Sequence, residues 1–249
     1  MPNIKYFRLF SNDNERSKVV EKKVRDKLVK NNFIEDKNNY DLAIAIGGDG
    51  SFLRMVKQTN FNSDVLYVGI NAGTLGFAQE VSIDDIDDFI EELKNGSYKV
   101  DSIGVQKTKV IKEKSDSNFY SLNEIVIRQE DLNTILLDVY IEDSILESFV
   151  GDGLLIATSF GSTAYNLSHG GSIVYNTFHT LQITPIAPLN NKSYRNLLNS
   201  VILPENKKVT LVPKRSKDIL ITIDGENKVY KDALEVQTYV NDKRIKCLR

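Results

Sequence analysis

The sequence predicts an α/β domain followed by a mostly-β one. Three observations carry that prediction. Apolar runs such as "DLAIAI" and "VLYVGI" show no polar alternation, as strands covered on both faces do. Segments with helical spacing separate those runs through the first hundred residues, and a strand–helix alternation of this kind builds a parallel sheet from βαβ units. After about residue 98 short β runs divided by turn residues take over. The expected architecture is an N-terminal Rossmann-like α/β domain with a parallel sheet, a C-terminal mostly-β domain, and a ligand cleft between them.

Taken in order, "IKYFRLF" reads as the first strand. "ERSKVVEKKVRDKLVK" places Val20, Val24 and Leu28 at four-residue spacing among charges, which defines an amphipathic helix. "DLAIAI" is a buried strand, "SFLRMVKQ" a helix, and "VLYVGI" a third strand. "DDIDDFIEELKNG" predicts a short acidic helix closed by Gly96, and the run Asp84 to Asp88 reads as its solvated start rather than as a metal site. The β-rich runs are "DSIGVQKTKVIKEK", "FYSLNEIVIRQ", "TILLDVYIEDSILESFVGDG", "KKVTLVPKR", "DILITIDGE" and "ALEVQTYVND". Only "STAYNLSHGG" and "KSYRNLLNS" there have the spacing of helical turns. A boundary near "KNGSYKV" gives domains 1–98 and 99–249, with the last residues able to pack back on the first domain.

Composition narrows the function classes. A chain of 249 residues with net charge −2 has no global basic field to draw it to nucleic acid or an anionic membrane surface. Cys247 is the only cysteine and His169 and His179 are the only histidines, which excludes a disulfide framework and disfavours a Cys/His zinc site. No apolar run approaches the roughly 20 residues needed to span a bilayer. A soluble, cytoplasmic protein is expected.

Four stretches could carry chemistry. In "GGDG", residues 47 to 50, glycines at the end of a buried strand let a ligand approach the backbone, and the following helix N-terminus suits phosphate. Asp49 in that turn makes sense against a hydroxyl or a metal ion; the plainer alternative is a tight turn capped by Asp. "GINAGTLGF", residues 69 to 77, brings a second glycine-rich loop to the same sheet edge, where ligands gather in open α/β folds. In "SLNEIVI", Asn123 offers a donor and an acceptor and Glu124 an acceptor, a pair able to read the edge of an amide or adenine, although a polar turn entering a strand explains it too. "GDGLLIATSFGSTAYNLSHGG", residues 151 to 171, combines a second Gly-Asp-Gly with a hydroxyl-rich turn suited to sugar and phosphate oxygens. Tyr165 could stack on a base or pack in the core, and His169 fits a helix end.

Taken together, GGDG after a buried strand, "LNE" some seventy residues on, and the "GDG…GSTAYNLSHGG" block resemble the NAD kinases (ATP/polyphosphate-NAD kinases) along the whole chain. GGDG alone is shared with lipid kinases and phosphofructokinases; the second block with the Asn-Glu pair is specific. The resemblance implies phosphorylation of the adenosine-ribose 2′-hydroxyl of NAD, with ATP or another phosphoryl donor and a divalent cation, Mg2+. It implies that Asp49 is the general base and that Gly50 and Arg54 lie around the nucleotide. It also implies that Asn123 and Glu124 hold the substrate and that Asp152 belongs to the site. Thr163, Ala164, Tyr165, Asn166, Leu167 and Ser168 would form the turn beneath adenine and ribose, and Ala187 would line the pocket. "IDGE", residues 223 to 226, corresponds to a further ligand-edge segment. A homo-oligomer, dimer or tetramer, is implied as well, with sites often completed by a neighbouring subunit. The sequence departs from the family at "SFGSTAY", where Phe160 enters the turn, and at Val150, where a basic residue is common. A GGDG-type lipid kinase and a non-catalytic NAD or NADP sensor stay open as alternatives.

Overall fold

A computed structural model describes residues 4–71, 81–131, 133–175 and 177–249. The chain divides into two compact units, one of residues up to Ile103 with Arg244–Arg249, the other Gly104–Lys243.

The first unit runs β1 (Tyr6–Ser11), α1 (Glu15–Lys30), β2 (Ile34–Glu35), β3 (Leu42–Gly47), α2 (Asp49–Gln58), β4 (Leu66–Asn71), β5 (Val81–Ser82) and α3 (Ile86–Asn95). Its strands pair parallel, β3 between β1 and β4. Every residue of β3 is buried, which is why its sequence lacks alternation. α1 starts at Asn14, whose side chain accepts from the Ser17 N–H, and it buries Val20, Val24 and Leu28 as the spacing predicts. α3 opens with Asp87 and Asp88 in its first turn and ends at Gly96, left-handed at φ 66°.

The second unit contains β6 (Val100–Lys112, its first residues in the first unit), β7 (Asp116–Ser121), β8 (Glu124–Gln129), β9 (Ile135–Ile141), β10 (Ser144–Gly151) and β11 (Gly153–Thr158). A 3-10 turn (Phe160–Thr163) and α4 (Tyr165–Ser168) follow. Then come β12 (Thr180–Ile186), β13 (Val201–Pro204), β14 (Val209–Pro213), β15 (Ile219–Ile223), β16 (Glu226–Tyr230) and β17 (Ala233–Leu248), whose last residues return to the first unit. One sheet has the order β13-β12-β11-β8-β15-β16 and is antiparallel throughout. Its inner face shares a core with β9, β10, β14 and β17 through Ile125, Ile127, Phe149, Leu154, Leu211 and Val236. The opposite face buries Val126, Leu155, Ala157 and Ile186, so the middle of this sheet is covered on both sides.

The α/β-plus-β class is the one the sequence predicts. One expected element does not form: residues 192–200, "KSYRNLLNS", have no helical turn. Their backbone groups are satisfied from elsewhere. The Glu147 carboxylate accepts from the Leu197 N–H at 2.9 Å, and Asn191 Oδ1 accepts from Ser193 and Tyr194 at 2.8 and 3.0 Å. The buried Asn196 amide bonds both the N–H and the C=O of Val150, at 3.1 and 3.0 Å. Side chains that offer the backbone such partners compete directly with a helix.

Candidate active site

The first unit contributes a sheet edge. β1, β3 and β4 are in parallel register, with Ser11 opposite Ile46 and Gly47 opposite Asn71, so their carboxyl ends finish side by side. Gly47 sits at φ 145°, and a Cβ there would fall 2.2 Å from Ser51 Oγ. Gly48 then caps α2 in an extended conformation, and Asp49 is the first residue of the helix. Among the described residues, a Cβ at Gly48 or Gly50 would meet nothing within 4 Å. One turn along, the Ser51 hydroxyl donates to Asn12 Oδ1 at 2.9 Å and the Arg54 guanidinium donates to the same oxygen. A polar cleft of about 220 Å³ opens here, lined by Arg8, Ser11, Asn12, Ser51, Arg54 and Gln58 among others. Of the loop 69 to 77, residues 69–71 finish β4 and the remainder lies outside the described residues.

The second unit contributes a polar turn at the head of β8. Asn123 and Glu124 are buried there. Thr158, at the end of β11, binds this turn twice: its N–H donates to the Asn123 carbonyl at 2.8 Å and its hydroxyl to the Leu122 carbonyl at 2.6 Å. The Gly161 N–H donates to the Thr158 hydroxyl at 3.1 Å, and a Cβ on Gly161 would lie 2.2 Å from the Asn123 carbonyl oxygen. That close approach requires glycine and brings Thr163 to Ser168 over Glu124. Burial, reinforced by the charge of Asp224 and opposed by the Tyr165 backbone N–H, pushes the Glu124 carboxyl up to about 8. Among the described residues Glu124 Oε2 has no hydrogen-bond partner.

The "TAYNLS" residues divide by orientation. Tyr165 is 41% exposed, packs edge-on against the His169 ring at 4.3 Å, and its hydroxyl accepts from Arg128 at 3.1 Å. Leu167 and Ser168 are exposed, and Thr163 and Ala164 half-buried. Asn166 is fully buried: it donates to the Ser162 carbonyl at 3.0 Å and accepts from the Thr184 hydroxyl at 2.6 Å. Its side chain secures the turn, leaving only its backbone to face a ligand. Burial, helped by Arg128, lowers His169 below the ordinary imidazole range, so it is neutral at pH 7.

Asp152 and Ala187 lie elsewhere in this unit. The Asp152 N–H donates to the Ile186 carbonyl at 3.0 Å, so both residues sit where β11 begins and β12 ends. Glu124 pairs with Ala157 near the other end of β11. Five residues of strand separate the two places, about 16 Å. The structure therefore brings Asn123, Glu124 and residues 163–168 together, and keeps Asp152 and Ala187 apart from them.

Two residues that the sequence left unassigned emerge beside Glu124. Asp224, in the "IDGE" stretch whose register the sequence could not fix, accepts from three consecutive backbone N–H groups, those of Leu122, Asn123 and Glu124. Arg128 holds the Tyr165 hydroxyl. The resemblance marks the "IDGE" stretch around the first; nothing in the local pattern of "EIVIRQ" singles out the second.

Among the described residues no group of three His, Cys, Asp or Glu side chains gathers at one point. A magnesium ion, however, takes one or two carboxylates and completes its shell with water and substrate phosphates. Asp49, the first residue of α2, offers one such carboxylate at the sheet edge.

A glycine turn with an acid at a parallel sheet edge, joined in one chain to a preformed polar turn on a β unit, defines a nucleotide-handling protein. The family models "ATP-NAD kinase N-terminal domain" and "ATP-NAD kinase C-terminal domain" match residues 5–98 and 122–242. The NAD kinase of Finegoldia magna is 39% identical over 252 residues, covering 98% of this chain and 92% of that protein. NAD kinase 2 of Halalkalibacterium halodurans is 34% identical over 220 residues, covering 88% and 82%. The chain belongs to the NAD kinase family. Among solved structures, yeast NADH kinase complexed with NADH superposes with a TM-score of 0.84 at 20% identity, covering all of this chain and 84% of that one. An Archaeoglobus fulgidus NAD kinase in complex with ATP gives 0.81 at 18%, covering 98% and 93%. These two share the fold.

Proposed function

We propose that this protein is an NAD kinase that moves the γ-phosphoryl group of ATP to the adenosine-ribose 2′-hydroxyl of NAD, giving NADP and ADP. The observation that carries the proposal is Asp49 at the start of α2, on a glycine turn open to ligand, in a chain matched to the family along its length. Nothing in the named relatives favours a lipid kinase or a non-catalytic sensor.

Phosphoryl transfer needs in-line positioning, charge neutralisation and an acceptor for the nucleophile's proton. The 2′-oxygen forms its bond to the γ-phosphorus as the bond to the ADP oxygen breaks, and that electron pair leaves with ADP. The hydroxyl is far less acidic than a carboxylic acid, so Asp49 takes its proton late, as the new bond forms. The Gly50 backbone, the α2 N-terminus and Arg54 offset negative charge on the phosphates. A divalent cation would be held mainly by the donor phosphates and water, with Asp49 the carboxylate nearest to hand, and would supply charge neutralisation there. Residues 1–98 supply this chemistry and 99–249 the recognition: Asn123 and Glu124 hold the nucleoside, while Thr163, Ala164, Tyr165, Leu167 and Ser168 pack along it.

Asp152 and Ala187 stand about 16 Å from Glu124 along the strand. We assign them to the site of a second copy, in a homo-oligomer. Exposed apolar side chains in the same unit, Ile173, Tyr175, Phe178, Leu198 and Ile202, supply surface for such an assembly. Among the described residues no helix is long and apolar enough to cross a membrane, and a cytoplasmic location with its NAD and ATP pools is proposed.

The test is a coupled assay with purified protein, NAD, ATP and magnesium, reading NADP through an NADP-specific dehydrogenase. The wild type is expected to form NADP and Asp49→Asn to bind NAD without turning it over. A wild type that neither forms NADP nor binds NAD would overturn the proposal.

A further inference from the structure

We propose that Asp224 is the positioning residue of the Asn123–Glu124 turn, and that as the ionised member of a carboxyl pair it makes Glu124 meet the substrate as a neutral acid that donates a hydrogen bond. The inference uses the NAD kinase function only to name that substrate.

Asp224 stands at the corner between β15 and β16, in the left-handed region at φ 44°, followed by Gly225 at φ 84°. Aspartate is one of the few side chains that adopts this conformation at modest cost. The corner aims the carboxylate at the stretch entering β8. Oδ2 accepts from the Leu122 N–H at 2.9 Å, and Oδ1 from Asn123 and Glu124 at 2.8 and 3.2 Å. The Asp224 N–H returns a bond to the Glu124 carbonyl at 3.1 Å. On the carbonyl side, Thr158 binds Leu122 and Asn123. These bonds use the turn's backbone, and none uses the Asn123 or Glu124 side chain. The turn is fixed through its backbone, and among the described residues Glu124 Oε2 has no hydrogen-bond partner.

The pair also sets which carboxyl is charged. Two neighbouring carboxyl groups cannot both ionise cheaply, and the better-solvated one takes the charge. Three N–H groups donate to Asp224, and donors of this kind favour the charged form of a carboxyl. Glu124 is 6% exposed, with Oε2 unpartnered. Of the groups around it, the Tyr165 N–H of α4 favours its ionisation, whereas Arg128, further along β8, and His169, just after α4, engage Tyr165. The proton therefore rests on Glu124. A carboxyl O–H offers what a carboxylate lacks, a donor for a ribose oxygen or a ring nitrogen, while its carbonyl still accepts.

The test measures NAD affinity by titration calorimetry from about pH 6.5 to about pH 9.5 for wild type, Glu124→Gln, Glu124→Ala and Asp224→Asn. The wild type is expected to weaken about tenfold per pH unit above about pH 8. Glu124→Gln, a neutral donor and acceptor of the same shape, is expected to stay within about threefold of wild type at pH 7 and to lose that pH dependence. Asp224→Asn, which turns an N–H toward backbone N–H groups, is expected to raise the Kd for NAD and its KM at least about tenfold, with the KM for ATP unchanged. A wild-type affinity flat across this range, or a Glu124→Gln loss as large as that of Glu124→Ala, overturns the proposal. If Asp224→Asn fails to fold, those two outcomes still decide. The carboxylic-acid infrared band at pH 7, present in wild type and absent in Glu124→Gln, reads the proton without any ligand. Its absence from wild type overturns the proposal even where NAD does not bind, so failure here and failure of the NAD kinase proposal are distinguishable.

Discussion

The turn at Gly47–Arg54 and the turn at Leu122–Glu124 are built in opposite ways. Among the described residues nothing lies within 4 Å of a Cβ at Gly48 or Gly50, and Arg54 is exposed at the rim of a polar cleft. At the second turn the backbone N–H and C=O groups are bonded to Asp224 and Thr158, and Gly161 packs against its carbonyl. Phosphates need room, exposed amides and cations, because their charge is spread over many oxygens. A nucleoside edge is read by a few directed hydrogen bonds, which requires side chains already held in place. Under the proposed function, the chemistry falls on the turn that leaves room for phosphates and the recognition on the turn whose backbone is already bonded.

The largest expected effect falls on the open side. Asp49→Asn should lower kcat by about 10²–10⁴-fold, the worth of a positioned base, with the melting temperature unchanged. A rate within about threefold of wild type would remove the base from this turn. On the rigid side the penalty should appear in folding. Gly161→Ala forces a Cβ to within 2.2 Å of the Asn123 carbonyl oxygen. It should cost about 3 kcal/mol and lower the melting temperature by about 6–12 °C, as followed by circular dichroism. Asn166→Ala abandons bonds to Ser162 and Thr184 and should cost about 2 kcal/mol in urea unfolding. A variant as stable as wild type would show that the turn does not depend on this side chain.

The pH dependence sharpens the contrast. The folded Glu124 carboxyl is raised from its ordinary value near 4.5 to about 8, so between those limits the folded state binds the extra proton. Stability should fall as pH rises through that window and level off above it. Glu124→Gln should remove a slope of up to about 1.4 kcal/mol per pH unit, measured as unfolding free energy against pH. The smallest effect belongs to the open turn again. Gly48→Ala places a Cβ where nothing lies within 4 Å, and should change stability by less than about 0.5 kcal/mol while raising the KM for ATP. A large stability loss there would contradict the open geometry.

Much of this molecule was legible in its sequence. The period of Val20, Val24 and Leu28, the unbroken apolar run of β3 and the glycine closing α3 each act within a few residues of chain, and local sterics and burial suffice to read them. The candidate acid, Asp49, stood out because glycines at a strand end are a backbone signal. What remained hidden depends on partners distant in sequence. Residues 192–200 have helical spacing, yet Asn196 and Leu197 bond Val150 and Glu147 instead, forty-six and fifty positions away. The Asn166 amide is held by Ser162 and by Thr184, the latter eighteen positions away. Asp224 meets Asn123 across 101 positions. The sequence by itself determined the elements, the order of the two units and the acid on the glycine turn, because those follow from period, burial and backbone freedom. Only packing brings the Asp224 carboxylate to the backbone of Leu122, Asn123 and Glu124, buries the Glu124 side chain, and sets Asp152 a strand's length from Glu124. Charge, solvation and distance between side chains are properties of the packed molecule, and no local pattern encodes them.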